Sequence, residues 1–341
     1  MTLICGKNHT TVREAKPKFT LIFEKNHPGA RPVGRLRHTR VTKTTKTHMP
    51  VLKPAQHDDH AVPFDGTRGI DDFSTAPPPD LPDKKALKKE LKQHVRDLHD
   101  LQRKLYADGR YAVLAVFQAM DAAGKDGTIR KVFSGVNPTG FRTSAFQAPS
   151  GRERRHDFLW RCARALPMRG KIGIFNRSHY EEVLVVRVKP ALLEGQELPN
   201  VDPATVWDER LESINDWEKH LARNGVVVVK FFLHLSRDEQ RKRLLARIDR
   251  PEKNWKYNAA DLDERKLWDD YQAAYDTVLR TTSHPNAPWY AIPADNKHYM
   301  RVAVARVMVH TLENLDTAYP TPTDEHMEVL EQGRRRLLED H

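Results

Sequence analysis

Cysteine is nearly absent: Cys5 and Cys162 are the two present in 341 residues. That is too few for a disulfide-held scaffold, and their separation is not that of a zinc site. A reducing compartment, the cytoplasm, is the expected setting. Long apolar runs are missing as well. No stretch approaches the ~20 residues a membrane helix needs. The nearest candidate, Val226–Val229 with Phe231–Leu233, is strand-sized and carries Lys230. A membrane partner is therefore not expected, and no long apolar segment near the start marks a secretory signal.

A bulk positive charge across the body is also lacking, although the chain as a whole carries +11. Residues 1–48 hold eleven lysines and arginines against two glutamates, a net +9, which leaves +2 for the rest. With Pro17, Pro28 and Pro32 and no steady apolar period, these residues are expected to form a disordered basic extension. Such an arm could bind nucleic acid, but solvated tails share its composition, so nucleic acid is not the expected partner. Residues 49–82 read as a connecting arm stiffened by Pro77–Pro79. The HDDH run at His57–His60 has no second ligand cluster to make it a metal site. In a nearly neutral body, an anion site must come from local clustering.

What is there is most legible in VLAVFQAMDAAGKDG, Val113–Gly127. An apolar run ends in Ala122-Ala123-Gly124 and then Lys125, and a helix is expected through Thr128 and Val132. A buried strand, a tight turn and a helix N-terminus form the grammar of a phosphate-binding loop, in which backbone N–H groups cradle phosphate. The common pattern GxxxxGK[ST] has glycine where Ala119 stands and a hydroxyl where Asp126 stands. That hydroxyl usually holds magnesium, so Asp121 is the expected hard-cation ligand here. Ala122, Ala123, Gly124, Asp126, Gly127 and Thr128 are the expected phosphate-binding residues of the turn. Arg130 and Lys131 are expected to face outward, although one could touch a long anion.

Beyond this loop the sequence alternates strand and helix. Strands are expected at Ala112–Gln118, Phe141–Phe146, Lys171–Asn176, Val226–Leu233 and Trp289–Ile292. Helices are expected from Asp83 to Asp108, from Lys125, over Arg152–Leu166, Pro203–Arg223, Arg237–Ile248, Leu262–Thr282 and His298–Leu315, and over 324–341. This predicts an α/β fold, a mainly parallel sheet with helices on both faces. Ligands in such sheets bind at the C-terminal strand edge.

Two further clusters fall at that edge. KIGIFNRSHYEEVLVVR, Lys171–Arg187, ends a strand at Asn176, where phosphate-loop kinases usually place a magnesium-associated carboxylate. Asn176 is therefore a second candidate metal ligand. Arg177 follows as a planar fork suited to phosphate, and Arg187 is a further phosphate candidate. Glu181 and Glu182 could complete a metal site or read a nucleotide, whereas His179 and Tyr180 are expected to pack. RKRLLARIDRPEKNWKYN then offers Arg243, Arg247, Arg250, Lys253 and Lys256, read as a mobile lid over about 243–262 that closes on phosphates.

The motifs AMDAAGKDGTIRKVFSGVNPTGFR, HDFLWR, GIFNRSHYEEVLVVRV and RIDRPEKNWKYN, in that order, resemble the type-2 polyphosphate kinase family over about Leu81–Leu315. The resemblance implies a three-layer α/β/α sandwich of the phosphate-loop, thymidylate-kinase-like kind with a helical lid. It implies magnesium and phosphate transfer between inorganic polyphosphate and nucleoside mono- or diphosphates, in a homo-oligomer, a dimer or tetramer. Asp121 and Lys125 match the family's loop residues, and Arg177 its post-strand arginine. Asn176 stands where many members carry aspartate, and Glu181 where others carry asparagine. NRSHYE looks like the subgroup accepting both AMP and ADP. Two rivals remain at this point: an ATP-dependent nucleoside monophosphate kinase, and a nucleic-acid-binding protein with a vestigial loop.

Overall fold

The computed structural model describes residues 59–340, so the expectation of a disordered 1–48 extension lies outside the described residues. The body is built on a five-stranded sheet of β1 (Ala112–Gln118), β2 (Phe141–Ala145), β3 (Ile172–Asn176), β4 (Val226–His234) and β5 (Trp289–Pro293). Their order is β2-β3-β1-β4-β5, and every pairing is parallel. β1 sits in the middle, and all seven of its residues are buried. A strand covered on both faces must be apolar at every position, which is why AVLAVFQ reads as an unbroken run.

Side-chain alternation along β1 divides the core in two. Val113, Ala115 and Phe117 join one cluster, while Leu114 and Val116 join the other. The first cluster is covered by α1 (Lys84–Asp108), α2 (Lys125–Val132) and α10 (Lys297–Glu313). α1 is capped at its start by Asp83, which accepts from Ala86 N at 2.7 Å, and ends at Gly109 in the left-handed region, φ 67°. The second cluster takes residues from α6 (Val206–Arg223) and α9 (Trp268–Thr282). The α/β fold with helices on both faces of a parallel sheet is the one expected.

Shorter helices fill the connections: α3 (Trp160–Ala163), α4 (Val185–Val188) and α5 (Ala191–Glu194). The region read as the lid, about 243–262, takes in the second half of α7 (Arg237–Ile248), a 3-10 segment over Pro251–Lys256 and the start of α8 (Ala260–Lys266). α11 (Asp324–Glu339) follows the body and buries none of its residues. The described part of the arm runs beside β5: Ala291 N donates to His60 O at 2.8 Å and Val62 N to Trp289 O at 2.9 Å. His60, the described end of the HDDH run, bonds the Tyr299 hydroxyl.

Two expected helices are corrected. Arg152–Leu166 holds a 3-10 turn at Glu153–Arg155 and the single turn α3. His156 is extended, and the Asp157 carboxylate accepts from Leu159 N at 3.0 Å, a local side-chain bond that competes with the helix. Leu262–Thr282 begins earlier, at Ala260, and divides between α8 and α9, where Leu267 leaves helical geometry at ψ 21°.

Candidate active site

After Gln118 the chain turns sharply and re-enters helix at Lys125. The turn needs two left-handed residues, Ala122 at φ 64° and Gly124 at φ 103°. Gly124 does this without strain, whereas a Cβ-bearing residue such as Ala122 is disfavoured by about 1–2 kcal/mol. The first helical hydrogen bond of α2 runs from Thr128 N to Gly124 O, 3.0 Å. The amides before it have no partner within the helix and carry its positive pole.

The Lys125 ammonium donates to Ala119 O at 2.8 Å, across the turn. Desolvation in the cleft pulls its pKa below the usual lysine value, against the restoring pull of Asp121. β3 is hydrogen-bonded beside β1 with Asn176 opposite Phe117, so Arg177 emerges next to the loop. Arg177 is itself left-handed, φ 62°, and its backbone N–H donates to Phe117 O at 3.0 Å. Its fork straddles two carboxylates, donating from Nη2 to Asp121 Oδ1 at 3.1 Å and from Nη1 to Glu181 Oε2 at 3.4 Å. Burial pushes the Glu181 carboxyl up, opposed by Arg177 and then Lys125. With its amide nitrogen toward Glu181, Gln118 donates to Oε1 at 2.9 Å.

The turn carrying Glu181 rests on a buried polar cluster. Lys230, the residue that interrupts the apolar run of β4, donates to Glu218 Oε2 (2.5 Å), the Tyr180 hydroxyl (2.8 Å) and Thr282 O (2.7 Å). Tyr180 donates in turn to Glu218 Oε1 at 2.9 Å. Burial lowers the Lys230 pKa to about 8, although Glu218 pulls it back up.

Asp121, Ala122, Ala123, Gly124, Lys125, Asp126, Gly127, Asn176 and Arg177 line one cleft of about 830 Å³. Arg247, Arg250, Lys253 and Lys256 line its far side. Eleven lysines and arginines face three carboxylates along this wall, so the cleft is strongly positive although the body is not. A smaller pocket of about 220 Å³ adjoins it, sharing Asp121 and Arg177 and adding Glu181, Tyr271 and Tyr275.

Two of the expected phosphate ligands stand elsewhere. Thr128 is fully buried on the inner face of α2, and its hydroxyl has no hydrogen-bond partner among the described residues. Arg187 lies on α4 outside both pockets, with Nη1 buried and likewise without a partner among the described residues. Arg247 lines the cleft while donating to Asp261 Oδ2 at 2.6 Å. Conversely, Arg130, Lys242, Lys297 and Arg301 line the cleft without having been singled out as phosphate ligands. Lys297 and Arg301 are one helical turn apart at the start of α10, just past the C-terminal end of β5. A basic pair at that spacing after a parallel strand was the available signal. Desolvation, then the nearby Arg243 charge, lowers Lys297 to about 8.

For a metal, Asp121, Asn176 and Asp126 supply oxygen atoms on the cleft wall, and Asn176 Nδ2 donates to Asp126 Oδ1 at 2.5 Å. No group of three or more His, Cys, Asp or Glu suited to a metal occurs among the described residues. A sparse oxygen set fits magnesium, which uses one or two carboxylates and fills its shell with substrate phosphates and water. No described helix is long and apolar enough to cross a membrane.

Comparison with known proteins gives this geometry a lineage. Residues 82–320 match the family model described as polyphosphate kinase 2. The chain is 54% identical over 250 residues to the ADP-polyphosphate phosphotransferase of Rhodopseudomonas palustris, covering 73% of this chain and 86% of that protein. It is 50% identical over 227 residues to the AMP/ADP-polyphosphate phosphotransferase of Meiothermus ruber, covering 67% and 81%. The crystal structure of polyphosphate kinase 2 from Arthrobacter aurescens TC1 superposes with a TM-score of 0.69 at 38% identity, over 76% of this chain and 91% of that one. The chain belongs to the polyphosphate kinase 2 family, the polyphosphate-dependent nucleotide phosphotransferases.

Proposed function

We propose that polyphosphate lies along the cationic cleft, with its terminal phosphate at Lys125 and Arg177, and that the smaller adjoining pocket takes the nucleotide. ADP is the main acceptor and AMP a second one. Supporting the choice of acceptors are the names of the two relatives, one an ADP and the other an AMP/ADP phosphotransferase. The observation that carries the proposal is the meeting of Asp121, Lys125 and Arg177 in a cleft dominated by lysine and arginine.

In this reading a nucleotide phosphate oxygen attacks the terminal phosphorus in line. The bond from that phosphorus to the next bridging oxygen breaks, and the electron pair leaves with the shortened polyphosphate. The nucleophile is already anionic, so no general base is needed. Lys125 and the loop amides follow the charge of the group in flight, and the Arg177 fork holds two of its oxygens. Asp121 and Asn176, with Asp126 beside them, would hold magnesium, which when bound screens the repulsion between phosphates. Both sides of the reaction carry phosphoanhydrides, so polyphosphate synthesis from ATP is chemically accessible. The cytoplasm, where nucleotides are available, is the proposed setting.

The deciding experiment supplies polyphosphate as sole donor, with magnesium, to AMP, ADP and GDP separately and identifies the products. ATP from ADP is expected first. Activity confined to ATP as donor and AMP as acceptor would instead favour a nucleoside monophosphate kinase.

A further inference from the structure

The phosphate loop does not hold its shape alone. From α7, whose Arg243 also lines the substrate cleft, two side chains take hold of three consecutive loop carbonyls. Gln240 Nε2 donates to Asp121 O at 3.1 Å, and Arg243 Nη1 donates to Ala122 O at 3.3 Å and Ala123 O at 2.8 Å. The two residues are one turn apart on the helix and almost fully buried, 2% and 7% exposed. The rest of the Arg243 fork is also committed. Nη2 donates to Ala294 O at 2.6 Å and Asp295 O at 3.2 Å, and Nε to Glu239 Oε1 at 2.8 Å. An arginine has five N–H donors, so Arg243 has none left for a phosphate, although the sequence places it among the lid cations.

The consequence follows from peptide geometry. The C=O and N–H of one peptide unit point in opposite directions, so carbonyls drawn toward α7 turn the following amides away from it. Of those amides, Ala123 N is bonded to Met120 O at 3.3 Å, which leaves Ala122 N and Gly124 N for an anion. Drawing the carbonyl oxygens onto a cation and an amide also removes partial negative charge from the anion's path. The loop needs this support because it carries alanine at 119, 122 and 123, and Ala122 is held left-handed at φ 64°. Gln240 is linked onward to the lid, since its Oε1 accepts from Arg265 Nη1 on α8 at 2.8 Å.

We propose that Gln240 and Arg243 are positioning residues that impose the anion-binding shape of the phosphate loop by capturing the carbonyls of Asp121, Ala122 and Ala123. This rests on the loop being the polyphosphate site.

The test measures kcat and the KM for polyphosphate, with thermal melts, for Gln240→Met, Arg243→Lys, Ala122→Gly and the double variant Gln240→Met/Ala122→Gly. Gln240 lines the smaller pocket proposed for the nucleotide but not the polyphosphate cleft, so the KM for ADP is measured as well. The loop's share is read from the polyphosphate KM at saturating ADP and from its rescue by glycine at 122. Gln240→Met is expected to raise the polyphosphate KM by about fivefold or more, with a smaller change in kcat. Glycine at 122 removes the strain that the clamp opposes, so it should recover about threefold or more in the Gln240→Met background and less in the native one. Arg243→Lys keeps the charge but loses the fork and should cost about tenfold or more in kcat/KM. A polyphosphate KM for Gln240→Met within about twofold of native, or an equal effect of Ala122→Gly in both backgrounds, overturns the proposal. Should Arg243→Lys fail to fold, the Gln240 and Ala122 pair decides alone. Native turnover by Lys125→Ala would defeat the phosphate-loop reading itself; an inactive Lys125→Ala beside native-like Gln240→Met defeats only the clamp.

Discussion

Arg177 Nη2 donates to Asp121 Oδ1 at 3.1 Å, so the cation proposed to grip the transferring phosphate rests, before substrate arrives, on the carboxylate proposed to hold the metal. Magnesium held by Asp121 would compete with this ion pair and leave the guanidinium for the phosphate. Replacing the fork by a point charge should therefore lower activity while leaving the fold intact. Arg177→Lys is expected to reduce kcat by about a hundredfold, through loss of the bidentate grip in the transition state. Steady-state kinetics with polyphosphate and ADP checks this, and a loss below twofold would remove Arg177 from a bidentate role.

Lys125→Ala should abolish transfer while the protein melts as a native-like unit. The ammonium bonds one loop carbonyl, so the fold loses little when it goes. A coupled assay for ATP formation beside circular dichroism separates the two effects. Near-native turnover would show that another cation follows the transferring group.

Lys297 predicts a particular pH profile. Its folded pKa is lowered to about 8 from the ordinary 10.5, and its charged form is the one that attracts an anion. The attraction is thus complete well below pH 8 and is lost as pH rises through 8, long before an ordinary lysine would titrate. The polyphosphate KM should rise above pH 8 in the native enzyme and stay flatter in Lys297→Arg, which remains charged throughout. Superimposable profiles for the two proteins would exclude Lys297 from the polyphosphate track.

The Lys230–Glu218 pair is wholly buried, both side chains being 0% exposed. Lys230→Met leaves Glu218 without its cation in the core and should cost about 3–5 kcal/mol, read from urea unfolding. The double variant Lys230→Met/Glu218→Gln should recover most of that loss. Equal instability of the single and double variants would mean that the pair does not act as a unit.

The central strand was legible to the residue because a segment buried on both faces has to be apolar throughout and must stop where the small loop residues begin. The strand-end position of Arg177 followed from the same logic. The helix expected at Arg152–Leu166 was not available from spacing, because Phe158, Leu159, Cys162 and Leu166 recur helically while the Asp157 side chain captures the backbone locally. Arg243 shows a different limit. A cation in a basic helix looks the same in sequence whether its N–H groups meet phosphate or backbone carbonyls, and only the fold decides. Lys297 and Arg301 escaped notice because their helix is apolar along most of its length, and two charges at its start read as a solvated end.

Residue 177 carries a conflict between durability and chemistry. Its left-handed backbone, φ 62°, would be eased by glycine by about 1 kcal/mol, yet glycine has no guanidinium to offer. On the role proposed for Arg177, a library screened only for heat tolerance would be drawn toward inactive proteins at this position, and a search for hardier catalysts must keep turnover in the screen.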